Sequence, residues 1–158
     1  MTETHDEGAP DADADFTSRL WERMVPMYSL LEGRLDRVLT HRHDIGLGAL
    51  MALGLLVKSS PAPLSVSGIA GRQGVSVSSA SRVLARLEQQ GRAVRVAWPC
   101  DRRAGRFTAT AAGARLWTHA RRTLDRELSA EFRALRFDER YAHVAARLCR
   151  AEDEPPAP

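Results

Sequence analysis

Arginine supplies 22 of the 23 basic residues of this 158-residue chain, the exception being Lys58. A guanidinium is a planar fork of donors that matches a phosphate or the O6/N7 edge of guanine, so where these forks point is the first chemical question. Between Val77 and Gly91, Ala80, Val83, Leu84 and Leu87 recur at the spacing of a single helix face. A step of about 100° per residue then turns Ser78, Arg82, Ala85, Arg86 and Gln89 outward, with Ser79 and Ser81 on the flanks. Small side chains at the start of such a helix allow close approach to another surface. Arg82 is placed to read a guanine and Arg86 to meet a phosphate. A second basic group, Arg102, Arg103 and Arg106, follows Asp101 in a short stretch dense in charge and Gly. From Pro61 to Thr110 there are eight Arg and two acids, which suits a polyanionic partner.

Other chemistries are weaker. Cys100 is followed by Asp101, Arg102 and Arg103, and neighbouring Arg favours a thiolate; the alternative is an unreactive exposed thiol. Cys100 and Cys149 are too few for a disulfide framework or a Cys-based zinc site. His41-Arg42-His43 has no acid or Cys at ligand spacing. No nucleophile stands in a recognisable arrangement with a base and an orienting acid, and there is no Gly-rich phosphate loop. We therefore expect no enzyme, no cofactor and no metal.

The elements that must position these groups follow from periodicity. Residues 1–15 carry six acids and no base, and residues 151–158 carry three acids and no base, so 16–150 holds all 23 bases against 11 acids. Both ends have almost nothing to bury and read as disordered tails. The N-terminus lacks an apolar signal region, and no uncharged stretch is longer than the 13 residues of Ile45 to Val57. That is short of the roughly 18–20 needed to cross a bilayer, so a cytoplasmic protein is expected. Phe16, Leu20, Met24, Met27, Leu31, Leu35 and Val38 mark a long amphipathic helix, which Pro26 should kink or split. A second helix is expected from Asp44 as N-cap to about Val57, weakened by Gly46, Gly48 and Gly54. After a linker at Ser59 to Pro63, Ser65 or Ser67 caps a short helix ending near Gln73, and Gly74 turns the chain. Ser76 caps the next helix, which Gly91 ends. Strands at Val94–Trp98 and Arg106–Thr110 form a hairpin wing. Leu116, Ala120, Leu124, Leu128, Phe132 and Leu135 then predict a long helix, and Asp138 starts a last one presenting Tyr141, Val144, Ala145 and Leu148. The outer helices have stripes too long for so small a lobe, which predicts a partner subunit.

The run Asp101-Arg102-Arg103-Ala104-Gly105-Arg106-Phe107-Thr108-Ala109-Thr110-Ala111-Ala112-Gly113 resembles the wing signature of the MarR family of winged-helix transcriptional regulators: Asp-x-Arg, a strand ending in Thr, and a Gly three residues later. Gly74-Val75-Ser76 to Ser81-Arg82 and Leu87-Glu88-x-x-Gly91 resemble the turn and recognition helix of that family. Two departures stand out: Arg92 where an apolar residue usually follows the helix-ending Gly, and Ala109 where a Leu usually precedes the Thr. The resemblance covers roughly Ile45 to Leu116. It implies a mainly α winged helix-turn-helix with a β-hairpin wing and N- and C-terminal helices forming a dimerisation domain. The divisions are tails at 1–15 and 151–158, dimerisation helices at 16–43 and 113–150, and a DNA-binding lobe at 44–112.

By the same resemblance the chain is a homodimeric regulator, more a repressor than an activator, that binds a pseudo-palindromic duplex. DNA contacts are expected from Ser76, Ser78, Ser79, Ser81, Arg82 and Arg86 in the major groove, and from Asp101, Arg102, Arg103 and Arg106 at the wing. Arg103 would enter the minor groove, with Asp101 shaping its loop. The resemblance also implies a pocket for a small aromatic or phenolic effector near Trp21, Met24, Tyr28 and His41, although Met and aromatic residues at helical spacing are commonly core. Two alternatives remain open: a redox-sensing regulator that uses Cys100, and a winged-helix protein-interaction module.

Overall fold

A computed structural model describes residues 12–97, 105–138, 141 and 142. Among them the element order is α1 (Ala12–His43), α2 (Leu47–Ser59), β1 (Leu64–Ser65), α3 (Val66–Gln73), α4 (Val77–Gln89), β2 (Ala93–Val96), β3 (Arg106–Ala109) and α5 (Ala111–Phe137). The expected mainly helical fold with a small winged sheet is what the chain adopts. Residues 1–11, 139–140 and 143–158, with Val144, Ala145 and Leu148, lie outside the described residues, as does the wing tip at 98–104. The last four residues of the expected N-terminal tail, 12–15, belong instead to α1.

The chain divides into two compact units, Met1–Glu32 with Ala130–Pro158 and Gly33–Ser129. In the second, the apolar faces of all the short elements meet. Leu35 and Leu39 of α1, Leu50, Leu53 and Leu56 of α2, Ile69 of α3, Leu84 and Leu87 of α4, Phe107 of β3, and Ala120 and Leu124 of α5 form one buried cluster. Among the glycines that weaken α2 in sequence, Gly54 has a packing reason, whereas a Cβ on Gly48 would meet nothing within 4 Å. A Cβ on Gly54 would stand 2.6 Å from the Trp117 indole nitrogen, so the helix trades propensity for close approach to α5.

Asp44 is not the N-cap of α2, contrary to expectation. It takes a left-handed backbone, φ 51°, and Gly46 occupies the cap position without a side-chain bond of its own. The missing acceptor comes from the preceding helix, where Asp36 Oδ1 accepts from the Leu47 N–H at 2.7 Å. The linker ends at Pro63 as expected, but an unexpected strand, β1, follows it and pairs with β3, giving the sheet order β1-β3-β2. β1 has only two residues, too few for a periodicity to reveal.

In the first unit α1 runs unbroken through Pro26, so the expected split does not occur. Met27 and Leu31 are buried with Leu135 and Tyr141, and Leu20, Met24 and Phe132 pack partly buried against them. The N–H groups of Tyr141 and Ala142 both donate to the Asp138 carbonyl, at 3.0 and 2.8 Å. Some of the stripes expected to need a partner are therefore covered within the chain. Trp21, Val25, Tyr28, Leu30 and Phe137 remain exposed.

Candidate nucleic-acid interface

α3 and α4 form a helix-turn-helix whose turn is built from three local devices. The Ser65 hydroxyl accepts from the Gly68 N–H at 3.1 Å and starts α3. Gly74 ends it at φ 66°, a left-handed conformation that a Cβ makes costly. The Val75 N–H then returns to the Ala70 carbonyl at 3.1 Å. Two residues on, Ser76 caps α4 by accepting from the Ser79 N–H at 3.1 Å, while its own hydroxyl donates to Ser79 Oγ at 2.9 Å.

With its start so fixed, α4 buries Ala80, Leu84 and Leu87 and leaves Ser78, Ser81, Arg82, Arg86 and Gln89 exposed. The faces sort as the 100° step predicts, except that Ala85, expected outward, is half-buried. Ser79 is half-buried and committed to the cap network; Arg82 Nη2 leans back to its hydroxyl at 3.3 Å, a long exposed bond that is easily surrendered. Ser76, Ser78, Ser81, Arg82 and Arg86 thus stand together on one open surface.

The wing has a described base only. Ala93 pairs with Ala109, Val94 with Thr108, Arg95 with Phe107 and Val96 with Arg106 in antiparallel register. Phe107 is buried, and the Arg95 guanidinium lies 4.9 Å from its ring centroid while Arg95 Nε sits 3.8 Å from Glu88. Arg106 is half-buried and donates to the Pro63 carbonyl at 3.3 Å, so part of its hydrogen-bonding capacity is spent on the lobe. Cys100, Asp101, Arg102 and Arg103 lie outside the described residues.

A knot of contacts behind α4 accounts for the Thr-x-x-Gly part of the wing motif and for the unusual Arg92. The Thr110 hydroxyl donates to the Gly91 carbonyl at 2.7 Å and accepts from the Gly113 N–H at 3.0 Å, which caps α5. Gly113 lies against the Arg92 carbonyl with no room for a Cβ. The spacing Thr-x-x-Gly is therefore what lets α5 start directly against the end of α4. Arg92 finds its use in Asp44: Nη1 donates to the Asp44 carbonyl at 2.7 Å and Nη2 to its carboxylate at 2.9 Å. The left-handed backbone of Asp44 aims both acceptors at one guanidinium, and the sequence showed neither half of this pair.

The residues considered for an effector fall in both units. Trp21, Met24 and Tyr28 belong to the first unit, where Trp21 and Tyr28 are exposed and Met24 packs into the small apolar cluster. His41 belongs to the second unit and is exposed. Its neighbour His43 is the engaged imidazole, with Nε2 2.8 Å from the buried Thr123 hydroxyl. Burial, followed by repulsion from His119, Arg42 and Arg126, holds its pKa below the usual imidazole value. Among the described residues no cluster of His, Cys, Asp or Glu is arranged to hold a metal ion, and no helix is long and apolar enough to cross a membrane.

With that geometry in view, residues 43–104 match the model of the MarR family. No curated protein matches the chain in sequence. Several solved structures share the fold. A MarR family transcriptional regulator from Streptomyces coelicolor, in complex with DNA, is 21% identical with a TM-score of 0.70, covering 95% of each chain. One from Silicibacter pomeroyi is 22% identical with a TM-score of 0.69, covering 90% of this chain and 97% of that one. NadR in complex with 4-hydroxyphenylacetate is 20% identical with a TM-score of 0.55, covering 96% of both.

Proposed function

From a chain whose residues 43–104 match the MarR family and whose fold is that of solved MarR family transcriptional regulators, we propose a sequence-specific regulator of transcription that binds double-stranded DNA. The observation that carries this reading is α4: capped at Ser76, with its apolar face buried, it offers Ser78, Ser81, Arg82 and Arg86 to solvent in one contiguous strip. A helix presented N-terminus first fits the major groove, where Arg82 pairs with a guanine edge and Arg86 reaches a phosphate. Ser76 and Ser79 hold the cap. Arg102 and Arg106 flank the minor groove, Arg103 enters it, and Asp101 orders the loop between them.

The protein acts as a homodimer, with 12–43 and 113–150 as its dimerisation helices, 44–112 as its DNA-binding lobe, and 1–11 and 151–158 as tails. Two α4 helices about 34–36 Å apart then meet successive turns of a pseudo-palindromic site. Repression is relieved when a small aromatic or phenolic effector binds the dimer better in a spacing that mismatches DNA. The 4-hydroxyphenylacetate in the NadR complex supports an effector of that class. The proposed location is cytoplasmic.

Duplexes selected by the purified protein from a random pool test the interface. Contacts to six to ten phosphates predict that log affinity falls with log salt at a slope of about −5 to −9. Arg82→Ala should lose about 1–3 kcal/mol and relax the preference at one base pair, whereas Arg103→Ala should weaken binding to all sites alike. An Arg82→Ala protein with unchanged affinity and preference removes α4 from the interface.

A further inference from the structure

α4 begins with a residue that neither the fold nor the polar strip employs. Val77, its first helical residue, is 55% exposed, although the rest of the first turn is serine and alanine. The apolar face of the helix is complete without it: Ala80, Leu84 and Leu87 are buried, Val83 packs against the core, and Val77 belongs to no apolar cluster. The cap does not require it either, since the bonds around Ser76 run to the backbone and hydroxyl of Ser79. An isopropyl group is thus held in water at the leading end of the helix, where the exposed side chains one and four positions on, Ser78 and Ser81, are no longer than it is.

We propose that Val77 is a base-reading residue whose isopropyl group packs on the 5-methyl group of a thymine in the major groove. The inference rests on the DNA-binding reading of α4 and deepens it. The thymine methyl is the apolar handle that this groove presents, and a short branched side chain meets it without any hydrogen-bonding group being stripped of water. A β-branched residue in a helix is confined largely to one rotamer, so little side-chain freedom is lost on contact. Val77, Ser78 and Arg82 lie at about 0°, 100° and 140° around the helix. A helix entering by its N-terminal end can therefore bring all three to neighbouring base pairs. Arg82 supplies the polar contact and Val77 the apolar one, which would make thymine favoured over cytosine at one position in each half-site.

The experiment replaces single atoms on the DNA side. The full-length protein selects duplexes from a random pool, and each thymine of the enriched site is replaced in turn by deoxyuridine, which lacks only the methyl group. Burying one methyl is worth about fourfold in affinity, so one position per half-site should lose about that factor with the wild-type protein. Val77→Ala should bind the thymine site about as weakly as the wild type binds the uracil site, and should be indifferent to the exchange. Val77→Ser, matched in size to its neighbours, should behave likewise, and circular dichroism verifies that both variants are folded. Wild-type protein indifferent to uracil at every position, or variants that keep the wild-type sensitivity, would overturn the assignment while leaving DNA binding intact. Failure to enrich any duplex would instead remove the reading on which it rests.

Discussion

The two halves of α1 belong to one continuous helix and yet are determined in different ways. From Gly33 onward the inward face of the helix is tied into the second unit. Leu35 and Leu39 enter the main core, Asp36 caps α2, and His43 bonds Thr123. Before Gly33, Met27 and Leu31 are covered by Leu135 and Tyr141, but Trp21, Val25, Tyr28 and Leu30 face solvent. Trp21 is 65% and Tyr28 63% exposed, more apolar area than a helix keeps in water for its own sake. The contrast separates a stripe that is core from one that stays exposed, which the proposed dimer would cover. Periodicity alone treats the two halves as equal.

The largest expected effect tests the closed half. Leu39→Ala removes a fully buried side chain and should destabilise the lobe by about 2–5 kcal/mol in denaturant unfolding. Next comes the open half. Trp21→Glu with Tyr28→Glu should move the proposed dimer to monomer in sedimentation equilibrium, weakening association by at least about tenfold, because carboxylates in an apolar interface must be desolvated. Surface substitutions otherwise change stability by within about 0.5 kcal/mol. If the doubly substituted protein stays dimeric, the exposed half of α1 is not the interface and the contrast needs another explanation.

How far the sequence reached follows the same division. The helix-turn-helix was legible because its signals are local: Ser65, Gly74, Ser76 and Gly91 each act within four residues, and the 100° step fixes which side of α4 is open. The Thr110 to Gly113 spacing was legible as a pattern, although its cause, the Arg92 carbonyl lying against Gly113, is a tertiary contact. What escaped depends on long-range partners. Asp44 has the right type and place for a cap, yet Asp36, one helix earlier, performs that task. Arg92 looked misplaced until Asp44 was folded beneath it. β1 exists only because β3 pairs with it. Val77 passed unremarked because in sequence it continues an apolar pattern, and only its exposure separates it from that pattern.

Asp36 offers a smaller test of the closed half. Asp36→Ala leaves the Leu47 N–H without its acceptor and should lower stability by about 1 kcal/mol, while Asp36→Asn, which still presents an oxygen, should recover most of it. Equal loss in both variants would show that the carboxylate acts through its charge and not as a cap.

The smallest effect concerns pH and belongs to the lower end of the same helix. His43 is held below the usual imidazole pKa by burial first and then by His119, Arg42 and Arg126, all of them basic groups. The unfolded chain therefore binds a proton here more readily than the folded one. Stability from the neutral ring is fully present above the unfolded value of about 6.5 and is lost as pH falls through the lowered folded value. Glu127 lies within 3.6 Å of Arg42 and 3.2 Å of Arg126, so the neighbouring cations are themselves partly balanced. His43→Gln removes the titrating ring while keeping a group able to bond the Thr123 hydroxyl. The unfolding midpoint of the wild type should decline between pH 7 and pH 5 more steeply than that of the variant, with the two curves closest at acid pH. Parallel curves would mean that His43 is only a spacer against α5, and would leave Leu39 and Asp36 as the groups that fasten this half of α1 to its lobe.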